Sequence, residues 1–75
     1  MSRLHNLSLS EIDRILRKYG CSFQGQEGSH RKYWKEGLTR PIIVPCHKGK
    51  TVPPFIVLQI IRALGTTREE FLKYV

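Results

Sequence analysis

Cys21-Ser22-Phe23-Gln24-Gly25-Gln26-Glu27-Gly28-Ser29-His30-Arg31-Lys32-Tyr33-Trp34-Lys35 is the stretch on which the fold turns. Cys21 to Gln24 alternates as a half-buried strand does, with Cys21 and Phe23 on one side. Gly25-Gln26-Glu27-Gly28 carries two glycines and predicts a turn. Ser29 to Lys35 predicts a second strand, with His30, Lys32 and Trp34 on one side and Arg31, Tyr33 and Lys35 on the other. Each side holds one aromatic, so alternation alone leaves open which side meets the core. Either way, a histidine opens a basic, aromatic-bearing strand directly after a turn.

Working outward, Glu36-Gly37-Leu38-Thr39 turns again and Ile42-Ile43-Val44 predicts a short third strand. Pro41 and Pro45 bracket it, and prolines suit an edge strand rather than a central one. Upstream, Ser8-Leu9-Ser10-Glu11 has the spacing of a capping box. Ile12, Ile15, Leu16 and Tyr19 follow at helical intervals, and Gly20 can end the helix in the left-handed conformation. Arg14, Arg17 and Lys18 lie off this stripe and read as a solvated face. Cys46 to Val52 predicts a polar, basic surface loop. Pro53-Pro54 pre-sets a helix start, and the segment from Phe55 to Leu64 is apolar except at Gln59 and Arg62.

Val57, Ile60, Ile61 and Leu64 form the expected core stripe of that helix, and Gly65 ends it. A helix apolar almost all round needs cover on more than one side. Part of the cover is expected from a last short helix, opened by a capping box at Thr66-Thr67-Arg68-Glu69 and presenting Phe71, Leu72 and Val75. The predicted order is α-β-β-β-α with a short final helix, an α+β domain with helices on one sheet face.

Composition narrows the function. Seventy-five residues make one domain, 1–75, without room for a second core. Thirteen Lys and Arg against six Asp and Glu give a formal net charge of +7. Between Gly28 and Lys50 the bases Arg31, Lys32, Lys35, Arg40, Lys48 and Lys50 face a single acid, Glu36. A polyanion or an acidic protein is the expected partner. Cys21 and Cys46 are too few for a disulfide framework, and with His30 and His47 they match no zinc spacing, so no metal or other cofactor is expected. The amino terminus lacks the apolar run of a signal peptide and no stretch is long enough to span a bilayer. A cytoplasmic protein with reduced thiols and no membrane partner is the expectation.

This order of elements is that of the double-stranded RNA-binding domain, and the chain more closely resembles the HicA family of toxin mRNA interferases. Tyr19-Gly20 closes the opening helix, and Gly28-Ser29-His30 precedes an aromatic at Tyr33. Val44-Pro45-Cys46-His47 and the run from Ile60 to Leu72 carry the likeness to the end. At Val52-Pro53-Pro54-Phe55 the family more commonly has a small Gly-Thr type segment, which argues against a phosphate contact at that helix's amino end. The resemblance implies an endoribonuclease that cleaves messenger RNA, uses one histidine (by motif matching, His30), needs no metal, and is silenced in a complex with a HicB-like antitoxin.

The residues themselves fit that chemistry. RNA brings its own nucleophile, the 2′-hydroxyl, so a protein need only move protons and stabilise charge. Imidazole suits proton transfer near neutral pH. Lys32 shares the His30 side and can stabilise phosphate charge. Arg31 points the other way and, with Lys35, is a candidate grip on flanking phosphates. Trp34 is the stacking candidate, Tyr33 or Trp34 being core. Ser29 reads equally as a turn residue or as a group that positions His30 or binds phosphate. His47, with Lys48 and Lys50, reads equally as phosphate contact or solvated loop. Phe55 is either core packing or a protein-contact anchor. The alternative functions are a non-catalytic double-stranded-RNA-binding module and a subunit whose basic surface meets only an acidic protein.

Overall fold

The structure, a computed structural model, describes residues 7–45 and 51–75. Strand β1 (Leu7–Ser8) leads directly into helix α1 (Leu9–Lys18). The capping box is formed in full: the Glu11 amide donates to Ser8 Oγ at 3.1 Å, and the Ser8 amide donates to Glu11 Oε1 at 2.8 Å. Two of the helix's orphan donors are met this way before its first turn closes. Ile12, Ile15 and Leu16 are buried as their spacing dictates.

Strands β2 (Ser22–Glu27), β3 (His30–Trp34) and β4 (Ile42–Pro45) form an antiparallel sheet in the order β2-β3-β4. The proline-bracketed strand is at an edge, where the missing donors cost no ladder bond. Gly25-Gln26-Glu27 corrects the predicted turn: these residues continue β2, and Gly25 sits at a register shift, with φ 129°. The reversal is instead a two-residue loop, Gly28-Ser29, closing the pair Glu27–His30. Gly28 has φ 59° and Ser29 does not have positive φ, as a type II′ hairpin turn requires. Two glycines three residues apart carry the same local preference, and the ladder decides which one turns.

Tyr33, Ile42 and Val44 point to the helix side and join Ile12, Ile15 and Leu16 in the core. Strand β5 (Thr51–Val52) pairs with β1, Leu7 opposite Val52, and both side chains are buried. This corrects the reading of Cys46–Val52 as loop throughout; a two-residue ladder is too short to show a period. It ties the start of α1 to the start of helix α2 (Pro54–Leu64), where Val57, Ile60 and Ile61 are buried and Leu64 is half-buried. Gly65 closes α2 at φ 70°.

Helix α3 (Arg68–Leu72) begins one residue later than expected: Thr67, not Thr66, is the N-cap, its hydroxyl accepting from the Glu70 amide at 3.2 Å. Thr66 instead pairs its hydroxyl with that of Tyr19 at 3.0 Å. Phe71 is fully buried and stacks on Tyr19, whereas Val75 is exposed rather than part of the apolar face. The molecule is α+β: a helix, a three-stranded antiparallel sheet, then helices, in the double-stranded-RNA-binding-domain order.

Candidate active site

The sheet has one covered face and one open face, and Tyr33 decides which is which. Its ring is 1% exposed, and its hydroxyl donates to Asp13 Oδ1 on α1 at 2.5 Å. Alternation then sends His30, Lys32 and Trp34 to the open side. His30 is exposed and Trp34 is among the exposed large side chains. Register adds neighbours from both flanking strands: Glu27 and Pro45 lie opposite His30, Gly25 and Ile43 opposite Lys32, and Ser22 opposite Trp34.

Lys32 leans along the sheet to Glu27, Nζ to Oε1 at 3.3 Å, and its partner across the ladder is Gly25, which has no side chain. A Cβ built on Gly25 would meet no atom within 4 Å. A recess of about 240 Å³ lies there, lined by Gln24, Gly25, Gln26, Glu27 and Lys32. The open face therefore brings an imidazole, an ammonium and a carboxylate together at the turn end of the hairpin, with an indole at the other end.

Arg31 belongs to the covered side's rim. Its guanidinium lies over the Phe23 ring at 5.6 Å, and it donates to Tyr33 Oη and Gln26 Oε1, each at 3.4 Å. Asp13 also accepts from Arg17 Nε at 2.8 Å. Partial burial alone would raise the Asp13 pKa, but the hydrogen bonds from Arg17 and Tyr33 and the charges of Arg17 and Arg31 hold it below the usual carboxylate value. Burial, with the Asp13 hydrogen bond, pushes Tyr33 up to about 12. This network clamps the hairpin onto α1, so Arg31 is engaged with protein groups. Lys35 lies beyond the end of β3 and close enough to Cys21 to oppose the rise that burial gives that thiol. Ser29 is half-buried within the turn. His47, Lys48 and Lys50 lie outside the described residues, as does Cys46.

Sequence reading brought together His30, Lys32 and Trp34 but missed Glu27, which it had placed inside a turn. The signal that could have found it is the tight Gly28-Ser29 loop, which forces the flanking residues into a pair. It also missed Asp13, whose i,i+4 spacing to Arg17 is visible in the sequence. A cavity of about 460 Å³ between β4 and α2 is lined by Leu38, Ile43, Ile60 and Ala63, with Arg40 as its one charged group. It offers no proton-transfer group.

A family model described as the HicA toxin of bacterial toxin–antitoxin matches residues 9–66. The chain belongs to the HicA toxin family. The match runs from the first helical residue to the threonine after Gly65 and so takes in the hairpin, the His30 row and α2. No curated protein and no solved structure matches the chain. As a HicA toxin it is the toxin component of a toxin–antitoxin system, and membership implies an antitoxin partner. Among the described residues, no helix of this HicA chain is long and apolar enough to cross a membrane.

Proposed function

We propose that this HicA toxin is a metal-independent endoribonuclease that cleaves messenger RNA, with His30 as a catalytic residue. The observation that carries the reading is the exposed imidazole on the uncovered sheet face, with Lys32 on the same side of the same strand. In that position His30 can exchange protons with a ribose or a leaving oxygen, an effect of about 10²–10⁴-fold in rate. Lys32 supplies charge stabilisation at the phosphate. Trp34, two residues farther along the same face, is a stacking platform for a base of the bound strand. Ser29, Arg31, Lys35, His47, Lys48 and Lys50 complete the proposed RNA contacts, Arg31 by giving up a long hydrogen bond to Gln26 or Tyr33.

The cognate antitoxin, of the HicB type, is proposed to silence the enzyme by covering the Gly28–Lys35 hairpin, which hides the imidazole and neutralises the charge in one contact. The cytoplasm is the proposed location, since that is where messenger RNA and reduced thiols are found together.

The test incubates wild-type and His30→Ala protein with messenger RNA in chelator. Fragments from the wild type alone, with RNA affinity of the variant within a few-fold, are the expected result. RNA binding without fragments from either protein would instead identify a non-catalytic RNA-binding module. Absence of any salt-sensitive RNA binding would leave only an interaction subunit with a basic surface.

A further inference from the structure

Resting on the nuclease reading above, we propose that Glu27 is a second catalytic residue: it acts as the general base on the ribose 2′-hydroxyl, while His30 acts as the general acid on the leaving 5′-oxygen.

Cleavage of RNA by its own 2′-hydroxyl needs two proton transfers, one away from the nucleophile and one onto the leaving oxygen. A single imidazole can perform one of them at a time. The remaining side chains in the turn-end row of the open face are Glu27, Pro45 and Lys32, and of these only the carboxylate is a proton acceptor. Its placement is dictated by the fold. Glu27 and His30 are direct cross-strand partners on either side of the Gly28-Ser29 loop. Such partners share a face with Cβ atoms about 4.5–5.5 Å apart. That spacing lets a phosphodiester sit over the pair with its 2′-oxygen toward one group and its 5′-oxygen toward the other.

Three further features point to Glu27. Its side chain is 81% exposed, so an RNA backbone can reach it. Lys32 holds it at 3.3 Å, which aims the carboxylate along the sheet and keeps the ammonium beside the phosphate. The register shift at Gly25 opens the recess of about 240 Å³ against Glu27 and Lys32, giving a ribose somewhere to enter. Bulges of this kind recur next to active sites, where they re-aim side chains.

The step balances without any co-reactant. The O2′–P bond forms as a Glu27 carboxylate oxygen takes the 2′-hydroxyl proton. The P–O5′ bond breaks as the His30 imidazolium gives its proton to O5′. The products are a 2′,3′-cyclic phosphate and a 5′-hydroxyl, and proton exchange with water restores both side chains.

The experiment compares wild type, Glu27→Gln and His30→Ala on a short single-stranded RNA, recording kcat/KM from pH 4 to 9. Affinity is measured on the same oligonucleotide made entirely of 2′-deoxyribose, which cannot cleave. Glu27→Gln is expected to slow cleavage about 10²–10³-fold. It should also remove the acidic limb of the wild-type pH profile and leave the deoxy-oligonucleotide bound as tightly or more tightly. Cleavage as fast as wild type, or faster, would show a carboxylate that merely repels RNA and overturns the assignment. So would a slowed variant that keeps its acidic limb, since a supporting role changes the rate without removing a titration. If His30→Ala is inactive in either case, the nuclease reading stands while this one falls. A wild type that binds RNA and cuts none takes both down.

Discussion

Tyr33 is the residue on which the two sides of the hairpin separate. Its ring is core, its hydroxyl is bonded to Asp13, and the next residue, Trp34, is on the open face. Tyr33→Phe keeps the ring and removes the bond, so it should lower stability by about 1–2 kcal/mol, toward the low end for hydrogen bonds to charged groups because Arg17 still pairs with Asp13. The linkage has a definite sign. A tyrosine raised in the fold from 10.0 to about 12 contributes fully below pH 10, and its contribution is lost as pH rises through 12. Urea midpoints of wild type and Tyr33→Phe should therefore converge between pH 10 and 12. Midpoints that stay parallel over that range would contradict the burial of this hydroxyl. Asp13 works in the opposite sense: lowered in the fold, it contributes above 3.8 and loses that contribution as pH falls through its folded value.

At the scale of the element, the start of α1 carries a testable weight. Ser8 caps the helix and, within β1, pairs with Thr51. Ser8→Ala removes the side-chain acceptor while leaving the ladder intact, and should cost about 1 kcal/mol. In a chain of this size that is a fall in Tm of roughly 4–8 °C by circular dichroism. Ser8→Asp, which retains a capping oxygen, should melt near the wild type, and a variant pair melting together would refute the cap's contribution. The hairpin is a different kind of element. Its turn was misplaced by the sequence reading because Gly25 and Gly28 both permit a reversal, and only pairing along the whole β2–β3 ladder selects Gly28.

For the molecule as a whole, the short carboxy-terminal helix is part of the core. Phe71 is fully buried, stacks on Tyr19 at 6.1 Å between centroids, and covers part of the apolar α2 that the sheet leaves bare. Phe71→Ala should cost about 3–5 kcal/mol. A domain of this length has a total stability of roughly 4–11 kcal/mol. The variant should thus sit close to unfolding at 37 °C, with a broad, early thermal transition. A sharp melt within a few degrees of the wild type would mean that α3 can detach from the fold at little cost. Phe55 remains 64% exposed on the same helix, so α3 does not cover all of α2.

What the chain determined locally could be read without coordinates. The Ser8–Glu11 box, the Ile12–Ile15–Leu16 stripe, the prolines at the edge strand and the Gly65 cap all rest on interactions within a few residues. The place of His30 at the head of a basic strand was legible for the same reason, from the glycine turn before it, but its exposure depended on which face of that strand is buried. The tertiary structure decided the rest. It chose the buried face of β3 through a hydroxyl–carboxylate bond between residues 13 and 33, joined Leu7 to Val52, and set Glu27 opposite His30. Each of these depends on groups distant in sequence, where competing local preferences are nearly equal and only the combined pairing and packing free energy separates them.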